Sequence, residues 1–141
     1  MSHILVVDDD RDHADSVADI LILQGHQVDV AFSGEEAADR AQEIDFDIAL
    51  LDIKLPGVNG VETCRRVKAA PGLRDVPVVM LTALEDRAAM IDGLAAGADD
   101  YIAKSSDFAV LRARVAAQLR RKQFEDENRL YRERLLQKEL E

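Results

Sequence analysis

The chain has 141 residues, is 48% hydrophobic and carries a formal net charge of −10, which suits one core and one main domain. A single cysteine, Cys64, excludes an internal disulfide, and because neither a leader segment nor an apolar run near the ~20 residues of a membrane span is visible, we expect a cytoplasmic protein without membrane contact. The acidic excess lies before residue 112 and would repel phosphates, so we expect no direct contact with nucleic acid.

Five short runs of aliphatic and β-branched residues predict strands. They cover residues 4–7, 28–30, 48–51, 78–81 and 101–102. Three of the runs are apolar throughout, which is expected when helices cover both faces of a strand in a parallel sheet.

Two segments of helical period follow the first two strands. The first segment has one apolar face and ends near Gly25. That face is formed by Ala14, Val17, Ala18, Leu21 and Ile22. Ser33 and Glu36 have the spacing of a capping box, which starts a second helix. The second helix contains Ala37, Ala38 and Ala41.

Three further helices are predicted later in the chain. The third covers about residues 60–69, and the fourth stops near Gly97. The fourth is marked by Met90, Ile91, Leu94 and Ala95. A fifth helix begins after a cap at Ser106 or Asp107. Its inner face would be Phe108, Leu111, Val115 and Leu119.

The alternation of strands and helices predicts an α/β fold. We expect a doubly wound five-stranded parallel sheet with strand order 2-1-3-4-5 and an extended C-terminal helix. In such sheets the functional crevice lies at the carboxyl ends of the strands, near the point where the strand order reverses.

Carboxylate, hydroxyl and amine side chains follow four of the predicted strands at their carboxyl ends. Asp8 and Asp9 follow the first strand, Asp52 the third, Thr82 the fourth and Lys104 the fifth. Three carboxylates in one crevice repel each other unless a cation is present, and a hard divalent cation prefers oxygen ligands. A carboxylate beside a cation, an amine and a hydroxyl is suited to attack phosphorus, because phosphoryl transfer needs positioning and charge neutralisation.

Four segments of the sequence resemble the signature segments of two-component response regulator receiver domains, and the resemblance covers about residues 3–121. They read VVDD at residues 6–9, LLDIKLPGVNG at 50–60, LTA at 81–83 and GADDYIAK at 97–104. The resemblance implies that Asp52 is phosphorylated. It also implies that Asp8, Asp9, Asp52 and the backbone carbonyl of Lys54 hold Mg²⁺ or Mn²⁺, with Asp9 as a direct ligand and Asp8 acting through metal-bound water.

The same resemblance implies a switch. Thr82 and Lys104 would contact the phosphoryl group, and Tyr101 would rotate into the space that they leave. The surface formed by the fourth helix, the fifth strand and the fifth helix would carry the signal. Lys54 and Leu84 occupy positions that adjust the lifetime of the phosphoryl group in this family. The phosphoryl donor would be a histidine kinase or a histidine phosphotransfer protein.

One departure from the family pattern concerns the residue after Lys104, which is Ser105 rather than proline. Relatives commonly have a cis bond here, and a cis bond before serine would cost about 3–4 kcal/mol. We therefore expect a trans peptide. We expect Asp10 to be a helix cap and Cys64 a partly packed helix residue. The histidines, His3, His13 and His26, are expected on the surface rather than at a metal.

The last twenty residues lack glycine and proline, which predicts that the fifth helix continues. We divide the chain into a receiver domain, residues 1–121, and a helical extension, residues 122–141. Phe124, Asn128, Tyr131 and Leu135 have the 4-3-4 spacing of a coiled-coil seam, which favours a homodimer through this helix. The alternatives are a frayed amphipathic tail or the start of a linker into an output domain.

Two other functions compete with a phosphoacceptor that is not a turnover enzyme. A metal-dependent phosphatase with an aspartyl nucleophile usually has a second acid two residues after it, and this chain has Lys54 there. The third reading is an interaction module that keeps the acidic pocket but is not phosphorylated. The sequence has no altered site residue that would favour this reading.

Overall fold

The structure is a computed structural model that describes residues 2–52, 60–69, 75–82, 87–104 and 107–140. Strands and helices alternate along the described part of the chain. The strands are β1 (His3–Val7), β2 (Gln27–Ala31), β3 (Ile48–Asp52), β4 (Val78–Thr82) and β5 (Asp100–Ala103). The helices are α1 (Arg11–Leu23), α2 (Gly34–Glu43), α3 (Gly60–Ala69), α4 (Arg87–Ala95) and α5 (Phe108–Leu140).

All five strands form one parallel sheet in the order β2-β1-β3-β4-β5, which confirms the predicted topology. Every residue of β3 and β4 is buried, as expected for central strands with helices on both faces. The strand order reverses between β1 and β3. The carboxyl ends of these two strands therefore border the expected crevice.

Side chains that alternate along the strands form a core on each face of the sheet. One core packs α1 and α5 against the sheet through Ala14, Val17, Leu21, Leu111 and Val115. The other packs α2 and α3 against the opposite face through Ala37, Ala41, Cys64 and Val67. Cys64 is fully buried rather than partly packed, and burial raises the pKa of its thiol to about 11.

The ends of α1 follow from its sequence. The side chain of Asp10 accepts a hydrogen bond from the backbone N–H of His13, so the expected cap is confirmed. Gly25 lies just past the helix with φ +93°, a conformation that glycine adopts without strain. The prediction for Ile22 was wrong, because this side chain is 52% exposed. Leu21 faces the sheet, and its neighbour is turned about 100° away from it.

Ser33 caps α2 as its sequence predicts, since its hydroxyl accepts from the backbone N–H of Glu36 at 3.1 Å. The Glu36 carboxylate accepts in return from the backbone N–H of Phe32, one residue before the position that a strict capping box uses. The two hydrogen bonds satisfy N–H groups on both sides of the helix start.

α5 is a single helix of 33 residues, so the predicted continuation is confirmed. Asp107 caps it by accepting from the backbone N–H of Val110 at 3.0 Å, whereas Ser106 lies outside the described residues. Leu111 and Val115 are buried, but the prediction for Phe108 was wrong. Phe108 is the first residue of the helix, and burial against the sheet begins only with the next turn.

None of the helices in the described ranges combines the length and the apolar composition that crossing a bilayer requires.

Candidate functional site

The parallel sheet brings the predicted site residues to one edge. Asp52 and Thr82 are the last residues of the adjacent strands β3 and β4. Asp8 directly follows β1 and Lys104 directly follows β5. Because parallel strands end at the same edge, residues separated by up to about a hundred positions in sequence border a single crevice.

Three carboxylates form the acidic part of this site. Oxygen atoms of Asp8, Asp9 and Asp52 all lie within 4.8 Å of one another. Asp8 and Asp52 are buried, whereas Asp9 is exposed. Like charges at this distance disfavour shared ionisation, and a set of hard oxygen donors is the environment that Mg²⁺ or Mn²⁺ prefers. The residues present therefore fit a divalent cation.

Lys104, at the end of β5, contacts two of the three carboxylates. Its Nζ donates a hydrogen bond to Oδ2 of Asp52 at 2.8 Å and lies 3.5 Å from Oδ2 of Asp8. Burial alone would lower the pKa of Lys104, but the hydrogen bond and negative charge of Asp52, together with Asp8, raise it above its ordinary value. The amine is therefore a cation at neutral pH.

Asp8 has no exposed surface and still remains ionised. Burial raises its pKa, but the backbone N–H of Asp10 at 3.0 Å, the ring of His13 and the charge of Lys104 together lower it below the ordinary value. A buried carboxylate with these partners is fixed in place before any ligand arrives.

His13 is a site neighbour that the sequence analysis missed. Its Nδ1 lies 2.6 Å from Oδ2 of Asp8, and because an ionised carboxylate only accepts, the ring N–H donates. The expectation of surface placement was only partly correct for His13, which lies on the first turn of α1 with its side chain 26% exposed. Its position three residues after the cap, Asp10, places it on the first turn of α1 but does not give the direction of its side chain.

The other two histidines are also partly buried, away from this site. His3 pairs with Asp29 at 2.5 Å and packs edge-on against the ring of Phe46. His26 has a buried Nδ1 without a hydrogen-bond partner among the described residues. Surface placement was therefore only partly correct for His3 and His26.

Thr82 is buried at the end of β4, where the strand order places it beside the crevice. Tyr101 lies on the edge strand β5 and is 37% exposed. Lys54, Leu84 and the Lys104-Ser105 peptide lie outside the described residues, and the predictions about them remain predictions.

The arrangement places the carboxylate of Asp52 beside a cation. An ionised carboxylate that attacks phosphorus needs no general base, because it has no proton to lose. Lys104 is a fixed cation within hydrogen-bonding distance of it. These are the groups that transfer of a phosphoryl group to an acceptor requires.

Comparison with protein families gives one match over most of the chain. Residues 4–116 match the family model of the response regulator receiver domain. The DNA-binding response regulator MtrA from Mycolicibacterium paratuberculosis is 44% identical over 118 residues, which are 84% of this chain and 51% of MtrA. The chain thus spans about half the length of the curated relatives that it matches.

Solved structures with the same architecture include two receiver domains. A response regulator receiver domain protein from Methanospirillum hungatei is 31% identical with a TM-score of 0.82, covering 89% of this chain and 98% of the other. The receiver domain of a sensor histidine kinase from Pseudomonas aeruginosa is 28% identical with a TM-score of 0.78, covering 84% and 97%. In that structure a magnesium ion is coordinated in the active-site cleft.

Proposed function

The chain belongs to the response regulator receiver domain family, and from that premise we propose that it accepts a phosphoryl group on Asp52 in a reaction that depends on a divalent cation. The observation that carries the proposal is the position of the Asp52 carboxylate, which lies among Asp8 and Asp9 on one side and 2.8 Å from the amine of Lys104 on the other.

In the proposed reaction an oxygen of Asp52 forms a bond to phosphorus while the bond from phosphorus to the donor breaks. The donor keeps the electron pair of that bond, so Asp52 becomes an acyl phosphate. The ammonium of Lys104 and the hydroxyl of Thr82 would receive oxygens of the transferred group as charge builds up on them.

Asp8, Asp9 and Asp52, with the backbone carbonyl of Lys54, would hold Mg²⁺ or Mn²⁺. When bound, the cation neutralises charge on the carboxylates and on the incoming phosphoryl group. The fit of the oxygen donors supports this role, as does the magnesium ion in the cleft of the Pseudomonas aeruginosa receiver domain.

The proposed output is a change of the surface formed by α4, β5 and α5. The phosphoryl group would draw Thr82 and Lys104 toward it, and Tyr101 would follow. Exposed apolar side chains on these elements, Ile91 and Leu94 on α4 and Tyr101 on β5, support the use of this surface as a contact for a partner.

The phosphoryl donor would be a histidine kinase or a histidine phosphotransfer protein, and the chain would act as a signalling domain without turnover of other substrates. MtrA is a DNA-binding protein, and this chain covers about half of it. We propose that residues 1–121 form the receiver domain and do not contact nucleic acid themselves, because they carry the acidic excess. Residues 122–141 would form an extension through which two copies pair.

Incubation with acetyl phosphate and Mg²⁺, followed by intact mass measurement, tests this function. We expect one added phosphoryl group, which requires Mg²⁺ and is absent in Asp52→Asn. Steady release of phosphate from phosphate esters would instead support a phosphatase. An unchanged mass under all conditions would support an interaction module that does not use the pocket.

A further inference from the structure

The side of α5 that faces the domain body is buried at the start of the helix and basic farther along it. Its first turns bury Leu111, Val115 and Gln118. The same row then continues with Lys122 and Arg129, which form ion pairs with acids of the domain body. Nζ of Lys122 is 4.0 Å from Asp47, and a guanidinium nitrogen of Arg129 is 2.9 Å from Asp75. This row therefore remains turned toward the body well beyond the buried core.

The opposite side of the helix carries an apolar row that faces away from the body. Residues on a helix are turned by about 100° each, which places Phe124, Tyr131 and Leu135 on the side of the helix away from Lys122 and Arg129, with Asn128 at the edge of that side. Phe124 is 65% exposed and Tyr131 63% exposed. With Phe124 and Tyr131 at heptad position d, Asn128 and Leu135 occupy position a. Charged residues bound this stretch, because Arg121 occupies the preceding position a and Lys138 the following position d.

The residues at heptad positions e and g, which flank this seam, alternate in charge, and their order is complementary to that of a second copy of the chain. Heptad positions g are Arg120, Glu127 and Arg134, and positions e are Glu125, Arg132 and Glu139. In a parallel, in-register pair each g residue meets the following e residue of the second copy. The resulting pairs are Arg120 with Glu125, Glu127 with Arg132, and Arg134 with Glu139. Every pair joins opposite charges.

Asn128 favours the same arrangement. In a parallel, in-register pair it faces Asn128 of the second copy, so the two amides can form a hydrogen bond inside the seam. An antiparallel pair would place Asn128 against an aromatic residue at position d, where its amide would lack that partner. The complementary charges and the asparagine therefore select one orientation and one register.

We propose that the seam residues 124–135 of α5 bind a second copy of this chain as a parallel, in-register coiled coil. Because the seam lies across the helix from the domain body, the two bodies would sit on opposite sides of the stalk without meeting at the seam. The proposal goes beyond phosphoryl transfer and does not require it.

Charge-reversal variants of the full chain test the proposal. Glu127→Arg places arginine opposite Arg132 in both halves of a dimer, and Arg132→Glu places glutamate opposite Glu127 in the same way. We expect each variant alone to self-associate about tenfold more weakly than the wild type. An equimolar mixture should recover the wild-type dissociation constant, because all g–e pairs are then opposite in charge. Sedimentation equilibrium measures all four samples, and circular dichroism verifies that helix content is unchanged.

Cysteine cross-linking gives a second measurement of orientation. Tyr131→Cys places a thiol at the seam, whereas the matched control Leu136→Cys places one on an exposed site away from it. The buried Cys64 makes the wild type a suitable background. We expect an oxidised dimer for Tyr131→Cys and little for Leu136→Cys. A monomeric wild-type chain up to millimolar concentration, a mixture that does not recover association, or equal cross-linking of both cysteines would overturn the proposal.

Discussion

The carboxylate of Asp9 differs from its two neighbours because it is exposed, whereas Asp8 and Asp52 are buried. Without a cation it adds repulsion to the cluster, and in the proposed metal site it would supply a ligand. We predict that Asp9→Asn makes the metal-free protein more stable and removes most of the stabilisation by Mg²⁺. For the wild type, that stabilisation should reach about 2.7 kcal/mol at a hundredfold excess over the dissociation constant.

Urea unfolding of both proteins, with and without Mg²⁺, measures these effects. A matched control is Asp12→Asn, which changes an acid of α1 outside the cluster and should leave the effect of Mg²⁺ intact. Equal stabilisation of the wild type and Asp9→Asn by Mg²⁺ would show that Asp9 is not a ligand.

His13 fixes the buried carboxylate of Asp8 by a hydrogen bond of 2.6 Å. Loss of a hydrogen bond to a charged group should lower the free energy of unfolding by about 1.5–3 kcal/mol in His13→Ala. We also predict weaker Mg²⁺ binding in this variant, because Asp8 is then less well positioned. Calorimetric titration and urea unfolding measure the two effects.

The matched control is His3→Ala, which removes the hydrogen bond to Asp29 on another part of the sheet. It should lower stability without changing Mg²⁺ binding. If His13→Ala binds Mg²⁺ as tightly as the wild type, His13 has no part in arranging the site.

The strands and helices show which elements a sequence determines by itself. All five strands were predicted with their centres correct, because short β-branched runs between helical segments leave few alternatives. Ile22 and Phe108 were assigned to inner faces and are exposed. Ile22 is turned about 100° away from the buried Leu21, and Phe108 lies one turn before the first buried residue of α5. Periodicity alone does not fix how wide the buried face of a helix is or at which turn its burial begins.

The candidate site was also predicted in part, where strand order decides the position of a residue, and missed where helix packing decides it. Asp8, Asp52, Thr82 and Lys104 were predicted to meet because parallel strands end at one edge, a rule that needs only the strand order. His13 was missed because its contact with Asp8 depends on the angle at which α1 leaves the end of β1. That angle is a property of packing, and no spacing pattern in the sequence reports it.

The end of α1 depends on Gly25, which has φ +93° and space around it for a methyl group. Gly25→Ala should therefore cost about 1–2 kcal/mol through backbone strain alone. Gly25→Asn should cost less, because asparagine tolerates this conformation better. Thermal unfolding of the two variants measures the difference, and equal stability of Gly25→Ala and the wild type would contradict the assignment of the helix end.

At the scale of the whole molecule, an acidic domain body carries a long helix that extends beyond it. Beyond the core, the helix meets the body through partly exposed ion pairs such as that of Arg129 with Asp75. Exposed ion pairs contribute little to stability. We predict that a chain ending at Arg121 keeps the free energy of unfolding within about 1 kcal/mol of that of the full chain. Urea unfolding of the two at a concentration where both are monomeric measures this, and a much larger loss would mean that the extension is part of the domain.

The fold gathers distant residues around Asp52, and chemical trapping of an aspartyl phosphate tests the proposed role of Asp52 most directly. Treatment with acetyl phosphate and Mg²⁺, followed by borohydride reduction, converts an aspartyl phosphate to homoserine, which peptide mass spectrometry locates. We predict homoserine at position 52 alone, and none when Mg²⁺ is omitted. Reduction at another aspartate, or an unmodified Asp52 under phosphorylating conditions, would contradict the account.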